Sequence, residues 1–342
     1  MRIGSLFSGY GGLDLAALQL FPQSSVAWHC EWDDAPAKIL DHHWPTVPNH
    51  RDVTTLDWTA VEPVDILTGG YPCQPFSAAG QRKGTDDERH LWPYVRDAIR
   101  LLRPRFTLLE NVAGHRSLGF DRVLGDLAED GMHVRWTSLR ASDIGAPHHR
   151  ERIFILVTNP SSSRPESIDG FTRGSAARGE GERITRGSDR GIPAHNHSLR
   201  RRQGQGQSSA SEAEESTNFG SVAVLSDTER IGRIGRRATP QQEGRAQSTA
   251  DRLRSIDWGQ YGPAVRRWER LTRPAPAPTE PNRNGKPHLN AAFAEWMMGL
   301  PAGHVTEVPG ISRAHQLKAI GNGVCPPQAV AAYSSLLERV AA

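Results

Sequence analysis

Between residues 1 and about 158 this chain alternates short apolar runs with amphipathic stretches, at a spacing that few folds accommodate. The pattern predicts strands at 2–7, 25–28, 65–68 and 106–110, with two more near 133–136 and 152–157. Between them it predicts helices at 12–20, 35–42, 91–102 and 121–130. A strand–helix alternation of this kind is satisfied by a parallel or mostly parallel sheet with helices packed on its faces. The expected class is α/β, and in such sheets ligands bind outside the carboxyl ends of the strands.

With 342 residues the chain is long for one core, which points to two domains or one with a large insertion. Composition shifts at Asn159-Pro160. From there to about Leu253 the chain is rich in Ser, Gly, Arg, Gln and Glu, and its only aromatic residues besides histidine are Phe171 and Phe219. Such a segment buries little core. Aromatics return at Trp258, Tyr261 and Trp268, a Pro-rich link covers 273–278, and helices are expected at 289–300 and 328–340. Net charge is only +3, and four of the 41 basic residues are lysines (Lys38, Lys83, Lys286, Lys318), the rest arginines. Arginine suits bidentate contacts to phosphates and guanine edges, although coding bias accounts for most of such an excess. The three cysteines, Cys30, Cys73 and Cys325, are sparse and odd in number, so no disulfide framework is expected; no metal-ligand spacing occurs and no metal is expected. No signal-peptide pattern or membrane-span length appears, which predicts a reduced, soluble, cytoplasmic protein without a membrane partner.

Four local patterns carry chemistry. Tyr71-Pro72-Cys73-Gln74-Pro75-Phe76-Ser77 follows an apolar run and two glycines, so a strand end hands a cysteine to a loop stiffened by proline on both sides. A buried structural cysteine is the usual fate of a lone thiol, but that reading leaves the prolines and Gln74 unexplained. Phe7-Ser8-Gly9-Tyr10-Gly11-Gly12 joins the first strand to the first helix, where glycines let a ligand approach the backbone; a tight turn is the bland alternative. It is not the glycine pattern of dinucleotide enzymes. Glu31 follows the second strand, as an acid placed for ribose hydroxyls would, and Trp32 offers either a flat face or ordinary core. Glu110-Asn111-Val112 ends the fourth strand, and His148-His149-Arg150-Glu151-Arg152 precedes the last. Helix capping and a solvated charge run are their bland readings; a clamp on phosphate or base edges is the functional one.

Together these residues resemble the DNA (cytosine-5)-methyltransferases of bacterial and phage restriction-modification systems. The resemblance covers about 1–158 and 287–342, with Phe7–Gly12, Glu31-Trp32, Asp52, Pro72-Cys73-Gln74, Glu110-Asn111-Val112, Arg150-Glu151-Arg152 and Gly321-Asn322-Gly323-Val324 in family order. It implies a Rossmann-like S-adenosylmethionine-dependent fold in three parts: a catalytic and cofactor-binding domain at 1–158, an inserted target-recognition region at 159–286, and a C-terminal segment at 287–342 completing the first. It further implies methyl transfer to C5 of a flipped-out cytosine in duplex DNA. Cys73 would add to C6, Glu110 would hold or protonate N3, Arg152 would contact the O2 side and Arg150 the surrounding backbone. Phe7 and Trp32 would pack the cofactor's adenine, Glu31 its ribose and Asp52 its amine, while Gly9, Gly11, Gly12, Pro72, Leu91 and Asn322 line the rest.

Three departures stand out. Arg51 precedes Asp52 where the family usually has Gly, His148 stands where Gln is frequent, and Gly323 stands where Ser is common, a change expected to matter little. Among 258–270, Trp258 and Trp268 are expected in the core of the small domain, and some of Arg266, Arg267 and Arg270 against DNA. Expected partners are double-stranded DNA and a cognate restriction endonuclease without a stable complex, the protein itself being a monomer. Two alternatives stay open: an RNA cytosine-5 methyltransferase of the same fold, disfavoured by the long insertion, and a non-catalytic DNA binder, disfavoured by intact Cys73, Glu110 and Arg152.

Overall fold

The computed structural model describes residues 1–72, 91–162 and 256–341. Its centre is a six-stranded sheet in the order β2-β1-β3-β4-β6-β5, from β1 (Arg2–Leu6), β2 (Ser25–Cys30), β3 (Ile66–Gly69), β4 (Phe106–Val112), β5 (His133–Arg140) and β6 (Glu151–Thr158). The pairings of β1 with β2 and β3, and of β3 with β4, are parallel. β6 runs antiparallel to both β4 and β5, so one strand of the six is reversed. The reason is local: β5 and β6 are joined by a short connection through a turn at Ala141–Ile144, too short for a helical crossover.

Alternating side chains of buried strands feed two separate cores. On one face Leu109, Ile153, Ile155 and Val157 pack with Val95 and Ile99 of α3 (Trp92–Leu102) and Val123 and Leu127 of α4 (Phe120–Glu129). On the other face Phe106, Leu108, Phe154 and Leu156 pack with Leu13 and Ala17 of α1 (Gly12–Leu20). The second core is closed by Tyr333, Leu336 and Leu337 of the last helix, so the two ends of the chain share one sheet face. α2 (Asp34–His43) contributes Ile39 to a third core around Tyr10, Val305 and Ile320.

The C-terminal part contains α5 (Gly262–Leu271), a hairpin of β7 (Thr279–Pro281) and β8 (Pro287–Leu289), α6 (Ala291–Met297), α7 (Arg313–Asn322) and α8 (Pro326–Ala341). The helix expected from residue 289 begins at Ala291, because Leu289 pairs with Thr279 and the Asn290 side chain caps the helix at Ala292 N–H. Trp258 and Trp268 are buried, but not in a core of their own. They pack with Phe293, Trp296 and Met297 of α6 and with Ala141 and Ala146, on both sides of the expected 286/287 boundary. Of the expected target-recognition region, 163–255 lies outside the described residues. Among the described residues no helix is long and apolar enough to cross a membrane.

Candidate active site

The carboxyl ends of β3 and β4 lie side by side, and polar ties hold them there. Asn111 Nδ2 donates to the carbonyl of Tyr71 at 3.0 Å, while the Tyr71 hydroxyl meets His115 Nε2 at 2.9 Å. Gly70 also faces Glu110: a Cβ at residue 70 would lie 3.7 Å from Oε2 of that carboxyl. Residues 70–72 are therefore delivered directly beside Glu110. Cys73 itself lies outside the described residues, and Pro72, just before it in sequence, is exposed.

Register then brings in the third group. β6 is antiparallel to β4, and Val112 pairs with Arg152, so the start of β6 meets the end of β4. Arg152 Nε lies 2.9 Å from Glu110 Oε1, with both side chains buried. The contact is an ion pair at hydrogen-bonding distance. Burial pushes the Glu110 carboxyl above its usual range, opposed by Arg152 and Arg150.

Arg150 is buried with a left-handed φ of +30°, a strained position for any residue with a side chain. Its guanidinium donates to the carbonyls of Gly321, at 3.1 Å, and Gly323. Burial first, then Arg152, lowers its pKa to about 10. Arg150 thus clamps the backbone at the C-terminal end of α7. His148 Nε2 faces the Met297 carbonyl at 2.9 Å and so carries its proton there. Burial pushes this histidine down to about 3, so it is neutral and serves as a tie to α6.

At the neighbouring strand ends the glycine loop turns through left-handed Phe7 (φ +50°), Gly9 and Gly11. Gly11 and Gly12 are buried, and a Cβ at residue 12 would lie 2.5 Å from the Val324 carbonyl. At Gly9 a Cβ would meet nothing within 4 Å, so this part of the loop is open. Glu31 accepts from the backbone N–H of Gly9 and of Asp33, each at 2.8 Å. Burial raises its pKa, against the pull of those two donors. Trp32 is 67% exposed, which removes the core reading and leaves an open flat face beside Glu31. Asp52 spends Oδ1 on the backbone and hydroxyl of Thr54. Arg51 adopts φ +65°, so the glycine-like backbone survives where the side chain departs from the family. Leu91 is half-buried against the first core, and Asn322 is exposed at the end of α7.

Two contributors escaped the sequence reading. Asn49 Oδ1 accepts from the N–H of Glu31 and of Arg51, fixing both around one amide. Tyr10 is buried against Gly323, where a Cβ would lie 1.9 Å from the tyrosine ring. The expectation that glycine at 323 matters little is therefore wrong: Tyr10 occupies the volume that a side chain there would need. Neither pairing has a local signal, since 18 and 313 residues separate the partners of Asn49–Glu31 and Tyr10–Gly323.

A family model described as C-5 cytosine-specific DNA methylase matches residues 1–338. The Type II methyltransferase M.BsuFI of Bacillus subtilis is 32% identical over 162 residues, covering 45% of this chain and 38% of its own. M1.ScrFI of Lactococcus lactis subsp. cremoris is 36% identical over 156 residues, covering 44% and 40%. The matched part of the chain thus spans less than half the length of these relatives. Among solved structures, the Dnmt2 methyltransferase of S. pombe has a TM-score of 0.56 at 16% identity, covering 99% of both chains. A putative DNA modification methyltransferase encoded within an E. coli prophage has a TM-score of 0.55 at 19% identity over 100% of both. At these identities the two structures speak for the fold, a Rossmann-like methyltransferase sheet. With the family model running through nearly its whole length, the chain belongs to the C-5 cytosine-specific DNA methylases.

Proposed function

We propose that this protein transfers a methyl group from S-adenosylmethionine to C5 of a cytosine in duplex DNA. The observation that carries the reading is the buried Glu110–Arg152 pair, set against the strand end that leads into Pro72-Cys73-Gln74. Cytosine C5 is a weak nucleophile. Addition of the Cys73 thiolate to C6 makes an enamine-like ring whose C5 takes the methyl group. A base then removes the C5 proton, and the C6–S bond breaks to restore the ring and release the thiolate. A free thiol has a pKa of about 8.5, so Cys73 acts with help from nearby positive charge. Glu110 holds N3 and its proton, the task of a carboxyl whose pKa burial has raised. Arg152 orients Glu110 and faces the O2 side of the base. The target base is flipped out, because none of these groups reaches C6 inside a duplex.

The residues at the glycine loop fit the cofactor. The space beside Gly9 is open, the Trp32 face is exposed, and the Glu31 carboxylate keeps lone pairs beyond its two N–H donors. When bound, S-adenosylmethionine supplies an activated methyl on a sulfonium. Phe7 and Trp32 would hold its adenine, Glu31 its ribose and Asp52 its amine, with Gly9, Gly11, Gly12, Pro72, Leu91 and Asn322 around it.

Residues 159–286 form the target-recognition region in this reading, with 1–158 and 287–342 as the catalytic body. Arg266, Arg267 and Arg270, all on α5, belong to that region; all three are exposed and fit the DNA backbone. Relatives named Type II methyltransferases suit a place beside a restriction endonuclease; the reading takes the protein to work as a monomer in the cytoplasm. The test is labelled methyl transfer to unmethylated duplex DNA and, separately, to transfer RNA. Label on DNA alone supports the reading; label on RNA alone replaces it with an RNA methyltransferase.

A further inference from the structure

Tyr10 sits in the middle of the glycine loop yet faces away from its open side. Its ring is wholly buried between two glycines: a Cβ at Gly12 would lie 2.9 Å from the ring, and one at Gly323 only 1.9 Å. Its hydroxyl donates to the Val324 carbonyl at 2.6 Å, and its own carbonyl accepts from His304 Nε2 at 2.8 Å. The segment that receives it, 321–324, is held from the other side by Arg150, which donates to the carbonyls of Gly321 and Gly323. The carbonyl of Arg150 in turn accepts from Gln328 Nε2 at 2.8 Å. One backbone segment is thus gripped by the glycine loop on one side and by the Arg150–Arg152 turn on the other.

We propose that Tyr10 is a positioning residue for the methyl donor: its ring and hydroxyl set the shape of 321–324, and through Asn322 the affinity for S-adenosylmethionine. The inference rests on the cofactor reading above and adds to it the packing of Tyr10 against Gly323. A side chain at 323 and a ring at 10 compete for the same volume. Tyrosine with glycine is one solution, and either change alone disturbs the loop. Tyr10→Phe removes only the oxygen that holds Val324.

The experiment is calorimetric binding of S-adenosylmethionine and S-adenosylhomocysteine to the full chain without DNA, alongside thermal unfolding of the same samples. The variants are Tyr10→Phe, Gly323→Ala and the double Tyr10→Ala/Gly323→Ala. For Tyr10→Phe, which keeps the ring in place, Kd should rise about tenfold, the scale of one lost hydrogen bond. Gly323→Ala should weaken binding at least as much, and the double variant should bind more tightly than Gly323→Ala. Lower melting temperatures with an unchanged Kd for Tyr10→Phe would make the role structural only and overturn the proposal. Where Gly323→Ala fails to fold, Tyr10→Phe alone decides. Wild-type protein that binds neither compound sinks the cofactor reading and this inference together; wild-type binding with an unmoved variant Kd sinks the inference alone.

Discussion

Arg152 Nε and Glu110 Oε1 lie 2.9 Å apart in a region from which water is nearly excluded. A buried pair loses more when one partner is removed than it contributes when intact, because the remaining charge stays desolvated. Arg152→Ala should therefore destabilise the fold by about 3 kcal/mol as well as abolish turnover. Glu110→Gln keeps the shape and should fold, but it removes the proton-holding carboxyl and should slow methyl transfer by about 100-fold or more. Urea unfolding and single-turnover rates separate the two outcomes.

Trp32 gives a contrasting case. It is largely exposed, so Trp32→Ala should leave unfolding free energy within about 0.5 kcal/mol of wild type. If its face carries adenine, the same change should weaken S-adenosylmethionine binding by about tenfold, the scale of one aromatic stack. Calorimetry and urea titration on one preparation check both halves.

His148 and His304 give the fold an acid sensitivity. Burial holds their pKa values down at about 3 and about 4, whereas an unfolded histidine takes its proton near about 6.5. Between those values the unfolded chain binds more protons, so stability falls as pH falls from about 6.5 toward 4, by up to ~1.4 kcal/mol per pH unit for each residue. His148→Gln keeps an N–H for the Met297 carbonyl and removes one titration. Unfolding free energies measured between about pH 4 and 7 should then show a slope shallower by up to ~1.4 kcal/mol per unit, reached below about pH 5.5.

Gln328 is wholly buried and donates from one Nε2 to the carbonyls of Leu139 and Arg150, both at 2.8 Å. Gln328→Leu leaves both acceptors without that donor and should cost about 1–3 kcal/mol of stability. Urea unfolding at neutral pH reads it directly.

Much of this molecule was legible because its signals are local. The strand ends expected at 68 and 110 and found at 69 and 112, the glycine loop and the Arg150-Glu151-Arg152 turn all announce themselves within a few residues, and sheet geometry then brings Glu110 and Arg152 together. What stayed hidden is long-range or weakly patterned. α7 buries only Ala319, Ile320 and Gly321, too little for a clear helical period, although Ser312 caps it through His315 N–H. The exclusion between Tyr10 and Gly323 is a matter of volume, and no motif at either position shows it. Trp268 reads as core, but nothing near it tells that its partners are Phe293 and Trp296.

The central claim is tested most directly by labelled methyl transfer from S-adenosylmethionine to unmethylated genomic DNA, run with wild type and Cys73→Ala and mapped by conversion sequencing. Label at cytosine C5 within one recurring sequence, in wild type only, is the predicted result. A folded, S-adenosylmethionine-binding wild type that labels no DNA, or a Cys73→Ala protein that labels it as well as wild type, would contradict the account.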